Sequence, residues 1–385
     1  MTRAARAVAA GALPVGVASA VAARAAYRTL RRYPPAGEQT WTRTNHRREL
    51  VTLLEGPAVA VGAITAGVLG AAVAGSQRAE RQEKGQIPQS WERAVASRSW
   101  FALAVTGGGA LGFGVIDDLA GSGKRRGLAG HLGALRQGEI TTGTVKLAGL
   151  AATGLAGGLL LGGKRSDVVI NTGLIAGGAN LLNLFDLRPG RAIKVALLSA
   201  GLIAAGGAVT GPDRSAGLTA VAAPLGAGLA LLPEDLGERA MLGDAGANAL
   251  GAMLGAAAAQ SLNRPARAGL LAGIVALTVA SEKISFTKVI EGTPALRWLD
   301  MLGRRPVPVG PAPADVAPEV IPARPDAAPV APAQADGVVV PPLPGRRGGR
   351  HRRVESGASR DRSITRFFDF SLKTPYLKTP AQQEP

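Results

Sequence analysis

Nine stretches of almost uninterrupted apolar residues, at about 7–26, 52–75, 99–116, 143–162, 168–185, 194–210, 215–232, 244–260 and 266–281, dominate the chain as far as residue 281. Crossing a hydrocarbon core of about 30 Å takes about 20 helical residues. A backbone with no water to bond must satisfy itself within the segment, so runs of this length constrain the chain to helices that cross a bilayer. The runs are rich in Gly, Ala and Leu rather than aromatics, which are 4% of the chain. Small side chains let helices approach closely where apolar burial supplies no drive; a bias in genome composition would also enrich them, and either source leaves the spans in place. The expected fold is all-α: a polytopic membrane helical bundle of about nine transmembrane helices.

The net charge of +17 would point to nucleic acid on a soluble protein. Here Lys and Arg gather in loops, where they set topology, and no nucleic-acid partner is expected. With the N-terminus outside, loops and tail on the inner face carry 30 Lys and Arg against 12 outside. This predicts a multi-pass protein of the plasma (inner) membrane with a cytoplasmic C-terminus. Arg3 and Arg6 before an apolar run ending AVAARA also resemble a secretory signal, whose cleavage would invert every later loop against that bias. No cysteine is present, which excludes disulfides, thiolate catalysis and Cys-based metal sites. The predicted membrane domain covers 1–305, and 306–385 reads as a disordered cytoplasmic tail. Its Pro, Ala and Val cannot bury a core. Within it GRRGGRHRR suits anionic lipid headgroups, and RFFDFSLKTPYLKTP reads as a membrane-surface or partner-docking motif.

Three polar motifs interrupt the apolar pattern. GFGVIDDLAGSGKRRG (112–127) closes the third run, NLLNLFDLRPGR (180–191) closes the fifth, and LGDAGANALG (242–251) opens the eighth. Two spans separate each consecutive pair, so all three emerge on one face whatever the absolute orientation. A carboxylate at a membrane-helix centre costs about 2.5–3.5 kcal/mol, which makes such acids functional candidates. Asp117 and Asp118 project about 100° apart on a helix, so they can serve different ligands. Asp117, Asp118, Asp186 and Asp244 would repel one another without compensation, whereas Mg²⁺ takes oxygen ligands and bridges phosphates. Taken alone, GDAG reads as a glycine-rich turn with Asp244 capping a helix. In company, Gly243 and Gly246 would admit a pyrophosphate, and free N–H groups at the helix start would favour an anion. Asn180, Asn183 and Asp186 share one stripe, suited to a nucleobase or sugar hydroxyls, or equally to interhelical hydrogen bonds.

IDDL ending one span, N-x-x-N-x-x-D ending another and G-D-x-G-x-N-x-x-G opening a third, in that order, resemble the polyprenyl-phosphate N-acetylhexosamine-1-phosphate transferases. That family includes the phospho-MurNAc-pentapeptide translocase of peptidoglycan synthesis. The likeness covers about residues 40–305. It implies a helical bundle with a cytoplasmic, Mg²⁺-dependent site, where a polyprenyl phosphate attacks the β-phosphate of a UDP-amino sugar and releases UMP in cell-envelope glycan synthesis. Asp117 and Asp118 match the implied catalytic acidic pair, and Asp244, with Asp117, the implied metal position. Asn183 and Asp186 fall at implied nucleotide- and substrate-binding positions; Asn180 and Asn248 are added as substrate-binding candidates, and Lys124 and His131 as candidate phosphate contacts.

The chain departs from the family's pattern in two places. The family continues its Asn/Asp motif as D-G-x-D-G, where this chain has DLRPGRAIK, with Pro189 for the second Asp and Arg188, Arg191 and Lys194 added. These cations suit either a more anionic donor or topology alone. The family's late His-rich stretch is replaced by SEKISFTKVIEGTPALRWLDMLGRR, in which Ile284, Val289, Leu296 and Leu299 suggest an interfacial amphipathic segment broken at Pro294. Two functions follow: transfer of a sugar-1-phosphate to polyprenyl phosphate, or a non-catalytic relative acting as a scaffold or regulator of envelope assembly. A transporter would place its polar groups at the midplane rather than at one face. Expected partners are polyprenyl phosphate, a nucleotide sugar and membrane lipids, with a homodimer or envelope-assembly proteins possible.

Overall fold

A computed structural model describes residues 3–83, 90–120, 130, 133–134, 136–210 and 214–306. The expectations for Lys124, His131 and the tail beyond 306 lie outside them. The chain runs α1 (Arg3–Arg32), α2 (Glu38–Trp41), β1 (Thr42–Thr44), β2 (Leu50–Thr52), α3 (Glu55–Glu83), α4 (Ser90–Ala120), α5 (Thr142–Leu161) and α6 (Arg165–Phe185). It continues through α7 (Arg191–Thr210), α8 (Arg214–Leu236), α9 (Gly243–Ser261), α10 (Arg264–Ser281), α11 (Phe286–Gly292) and α12 (Pro294–Met301).

The expected apolar runs fall almost entirely within helices. Among the described residues four of these, Arg98–Ala120 within α4 together with α5, α6 and α7, are long and apolar enough to cross a membrane, and α10 with α11 makes a fifth if that bent pair is one span. The run expected at 52–75 lies in α3, which extends from Glu55 to Glu83. The protein is thus a mostly helical, membrane-embedded bundle. Leu155, Leu159, Val169, Leu198, Leu202 and Val209 point outward from these helices, as lipid-facing side chains do.

Local chemistry sets the helix ends. The Thr141 hydroxyl accepts from the N–H of Thr144 to start α5, which stops where Gly162 turns to φ +71°. Asn263 caps α10 through the N–H of Ala266, with Pro265 in its first turn.

The all-α expectation misses one element. Strands β1 and β2 pair antiparallel, with Thr42 opposite Thr52 and Thr44 opposite Leu50. The N–H of Met241 donates to the Thr52 carbonyl at 2.9 Å, which fastens this hairpin to the turn before α9.

α9 lies at the centre. From Ala245 to Ala259 every residue is buried, because Gly and Ala on all sides of the helix admit neighbours on all sides. α4 and α5 run antiparallel, as do α6 and α9. At Gly114 a methyl group would stand 2.5 Å from Asp244 O and Ala245 Cα, so α4 touches the start of α9 backbone to backbone. This packing sets the C-termini of α4 and α6 beside the N-terminus of α9.

Candidate functional site

Asp117 and Asp118 end α4, Asp186 caps the C-terminus of α6 and Asp244 lies in the first turn of α9. The Lys146 ammonium, one turn inside α5, bridges Asp117 at 3.1 Å and Asp244 at 2.8 Å. All three side chains are largely withdrawn from solvent: 9% of the Lys146 side chain is exposed, 17% of Asp117 and 24% of Asp244. At this depth an ammonium with two carboxylates is far better accommodated than any of the three alone. The bridge was not anticipated, although a lysine within a predicted span was the available signal.

Asp118 does something different from its neighbour. Its two oxygens accept from the N–H groups of Asp244, at 3.0 Å, and Ala245, at 2.9 Å. Asp186 lies beside Gly243, whose N–H partly offsets the cost of its burial. The helix start expected to offer free N–H groups to an anion is therefore closed by the protein's own carboxylates, and Gly246 N bonds back to Leu242 O at 3.2 Å. Gly243 has φ +62°, and a side chain there would also press on both Asp118 oxygens. Here the glycine is needed for the turn itself.

The remaining candidates separate. Asn180 and Asn183 are half-buried on the last turns of α6, in line with Asp186. Asn248 is fully buried inside α9, and neither its amide oxygen nor its nitrogen has a hydrogen-bond partner. Two acids that the sequence did not single out are also buried near Asp186. Glu55, at the start of α3, has no hydrogen-bond partner for either carboxylate oxygen, and Asp235 has none for Oδ2. Burial, reinforced by the charges of Asp235, Asp244 and Asp118, pushes Asp186 well above the usual carboxylate range.

A small cavity of about 20 Å³, room for one water, lies beside Asp186 and is lined by Asn45, His46, Arg188, Asp235 and Glu238 among others. The hairpin closes it, with Asn45 Nδ2 donating to Glu238 at 3.2 Å and Arg47 pairing with Glu238 at 3.0 Å. Burial holds the adjacent His46 below the usual imidazole value.

The added cations have protein partners. Arg191 grips Asp300 with two hydrogen bonds, Nε to Oδ1 at 2.7 Å and Nη2 to Oδ2 at 3.1 Å. Lys194 donates to the carbonyls of Leu299 and Asp300, and Arg188 stands 3.7 Å from Glu291. A more anionic donor is not needed to explain them.

Among the described residues no group of three or more His, Asp and Glu side chains is placed to hold a metal ion. Asp117 and Asp244 remain a two-carboxylate donor set, and Mg²⁺ is commonly held by one or two carboxylates with waters and substrate phosphates. The donor set thus fits the ion, provided the flexible Lys146 side chain moves aside. No protein-family model matches the chain, and no curated protein matches it in sequence.

Proposed function

We propose that the chain is a nine-span membrane transferase that loads a sugar-1-phosphate, of N-acetylhexosamine type, from a nucleotide sugar onto polyprenyl phosphate at the cytoplasmic face of the plasma membrane. The single observation that carries this reading is the meeting of the three motifs. Lys146 joins Asp117 to Asp244, Asp118 holds the first turn of α9, and Asp186 stands beside the same turn. Asp117, Asp186 and Asp244 lie 58 or more residues apart in sequence, and each acid at a membrane margin costs free energy, so their gathering there favours a function.

In this reading a phosphate oxygen of the lipid attacks the sugar-bearing phosphorus of the donor. A new P–O bond forms, the bridging P–O bond breaks and the nucleoside monophosphate leaves. Mg²⁺ bound by Asp117 and Asp244 would supply charge neutralisation on the diphosphate. Lys146 turns its ammonium from the carboxylates to the phosphates. Asp118 keeps the Gly243–Ala245 backbone in place and so positions Asp244. Asn180 and Asn183 offer donors and acceptors to the nucleoside or the sugar.

The test is incubation of the purified protein with undecaprenyl phosphate, Mg²⁺ and a panel of nucleotide sugars, with nucleoside monophosphate as the readout. Product from one donor, lost in Asp117→Asn and Asp244→Asn, is the expected result. No product from any donor, or equal product from those variants, would favour the non-catalytic scaffold, for which the Lys146 bridge serves as a structural ion-pair cluster.

A further inference from the structure

After Ser281 the chain turns by 95° from α10 into α11. With α10 as the last of the nine proposed spans, crossing near the bilayer normal, a segment bent by this angle lies along the membrane surface. Apolar side chains on α11, α12 and their flanks are uncovered: Ile284, Val289, Leu296, Trp298, Met301 and Leu302 are all exposed, Trp298 by 68%. Val275, Leu277 and Val279, at the end of α10, are exposed as well, so the apolar surface continues from the span onto the two short helices. Between those helices an open groove of about 630 Å³ is lined by Pro294, Arg297, Trp298, Met301 and Leu302, with Glu291 at its edge. An exposed tryptophan and a cation beside an apolar face match the headgroup layer.

The opposite side of the same segment is locked to the α6–α7 turn. Phe286 stacks on Phe185 with ring centres 5.1 Å apart. Arg191 holds Asp300 in the paired contact described above and donates to the Thr287 hydroxyl at 3.0 Å. Arg304 adds a bond to Asp300 at 2.9 Å, and Lys194 fastens the α12 carbonyls. Both Arg191 and Asp300 are buried. The turn held in this way begins at Asp186, so the segment and the acidic site share a support.

We propose that α11 and α12 form an interfacial arm seated in the headgroup layer of the bilayer, and that the Arg191–Asp300 junction couples this lipid contact to the turn carrying Asp186. The occupant of the exposed face is phospholipid, because that face is continuous with the lipid-facing end of α10. The proposal goes beyond the transferase reading and holds whether or not the site transfers phosphate.

The chain has no cysteine, so Trp298→Cys and Lys164→Cys each carry one polarity-sensitive label. The full chain is reconstituted in phosphatidylglycerol–phosphatidylcholine vesicles. At 298 the label is expected to be quenched by shallow spin-labelled lipid and to resist aqueous iodide at least threefold better than at 164. Iodide quenching equal at both positions, or shielding at 298 that depends on protein density rather than on lipid, would overturn the lipid assignment; the second result would mean a second copy covers the face.

Coupling is read by hydrogen exchange of residues 183–194. Exchange should rise at least tenfold in Asp300→Asn, and also when the wild type moves from vesicles to short-chain detergent. Asp300→Glu, which keeps the charge, should restore most of the protection and show that the variants fold. Unchanged exchange in Asp300→Asn or in detergent would overturn the coupling. None of these readouts uses a nucleotide sugar, so failure here is separate from failure of the transferase assay.

Discussion

Replacing Lys146 with methionine removes one charge at nearly constant side-chain length and leaves Asp117 facing Asp244. The ammonium stands 3.1 and 2.8 Å from the two carboxylates. Unit charges about 4 Å apart interact by about 4 kcal/mol at an effective dielectric of about 20, so each contact is of that order before desolvation is subtracted. Removing one partner of a buried pair costs about 3–5 kcal/mol net. Partial exposure of the carboxylates places this case at the lower end, about 3 kcal/mol. The assay is thermal unfolding in detergent with and without Mg²⁺, with Lys146→Arg as the variant that keeps the charge. Without metal, Lys146→Met should melt several degrees lower than the wild type. Because ammonium and metal compete for the same oxygens, the variant should also bind Mg²⁺ about a hundredfold more tightly, the equivalent of about 3 kcal/mol. Metal should then restore most of the lost stability. A variant as stable as the wild type in metal-free buffer, or one with unchanged Mg²⁺ affinity, would refute the bridge as drawn.

Other perturbations test separate parts of the account. Gly114→Ala inserts a methyl group against the α9 backbone and should cost about 1–3 kcal/mol, seen as a lower melting temperature, whereas Gly112→Ala, which meets nothing, should not. Asp186→Asn keeps the side chain's size but removes a charge that burial disfavours. Since the folded state raises this acid's pKa, its penalty is absent below the ordinary carboxylate range and grows as pH rises towards the folded value. The variant's gain in melting temperature should therefore be largest at high pH and vanish in acid. At Asp300 burial opposes the charge, but the Arg191 hydrogen bonds and the nearby Arg304 and Lys194 outweigh it and hold the carboxyl below its usual range. That stabilisation is present above the unfolded value and is lost only as pH falls through the depressed folded one, so hydrogen exchange in the arm should rise only under strongly acidic conditions.

Span length and parity account for what the sequence made legible. Uninterrupted Ala, Gly and Leu runs leave the backbone no partner but itself, so the helices fall where the runs are. The order of the motifs at span ends brings Asp117, Asp186 and Asp244 to one end of the bundle without any knowledge of packing. Pairing was not legible. Nothing local distinguishes Asp118, which caps α9, from Asp117, which faces Lys146. Lys146 looked like part of an apolar run, and its role depends on how α5 lies against α4 and α9. Arg191 and Lys194 fitted a loop on the charged side of a membrane, while their partner Asp300 lies over a hundred residues away. The hairpin was missed because strands of three residues carry too little alternation to register. Glu55 and Asp235 were passed over because a single acid near a span end is what many loops contain.

The central claim, that the three acidic motifs lie on one side of the membrane, is tested most directly by sidedness. Single cysteines replace the exposed residues Leu119, Leu187 and Arg239, which flank the motifs, and Lys164, at the far end of α6. A membrane-impermeant maleimide is applied to inverted vesicles and to intact spheroplasts. The account predicts labelling at 119, 187 and 239 in inverted vesicles only, and at 164 in spheroplasts only. Labelling of any one of the first three from the opposite side to the other two would contradict it.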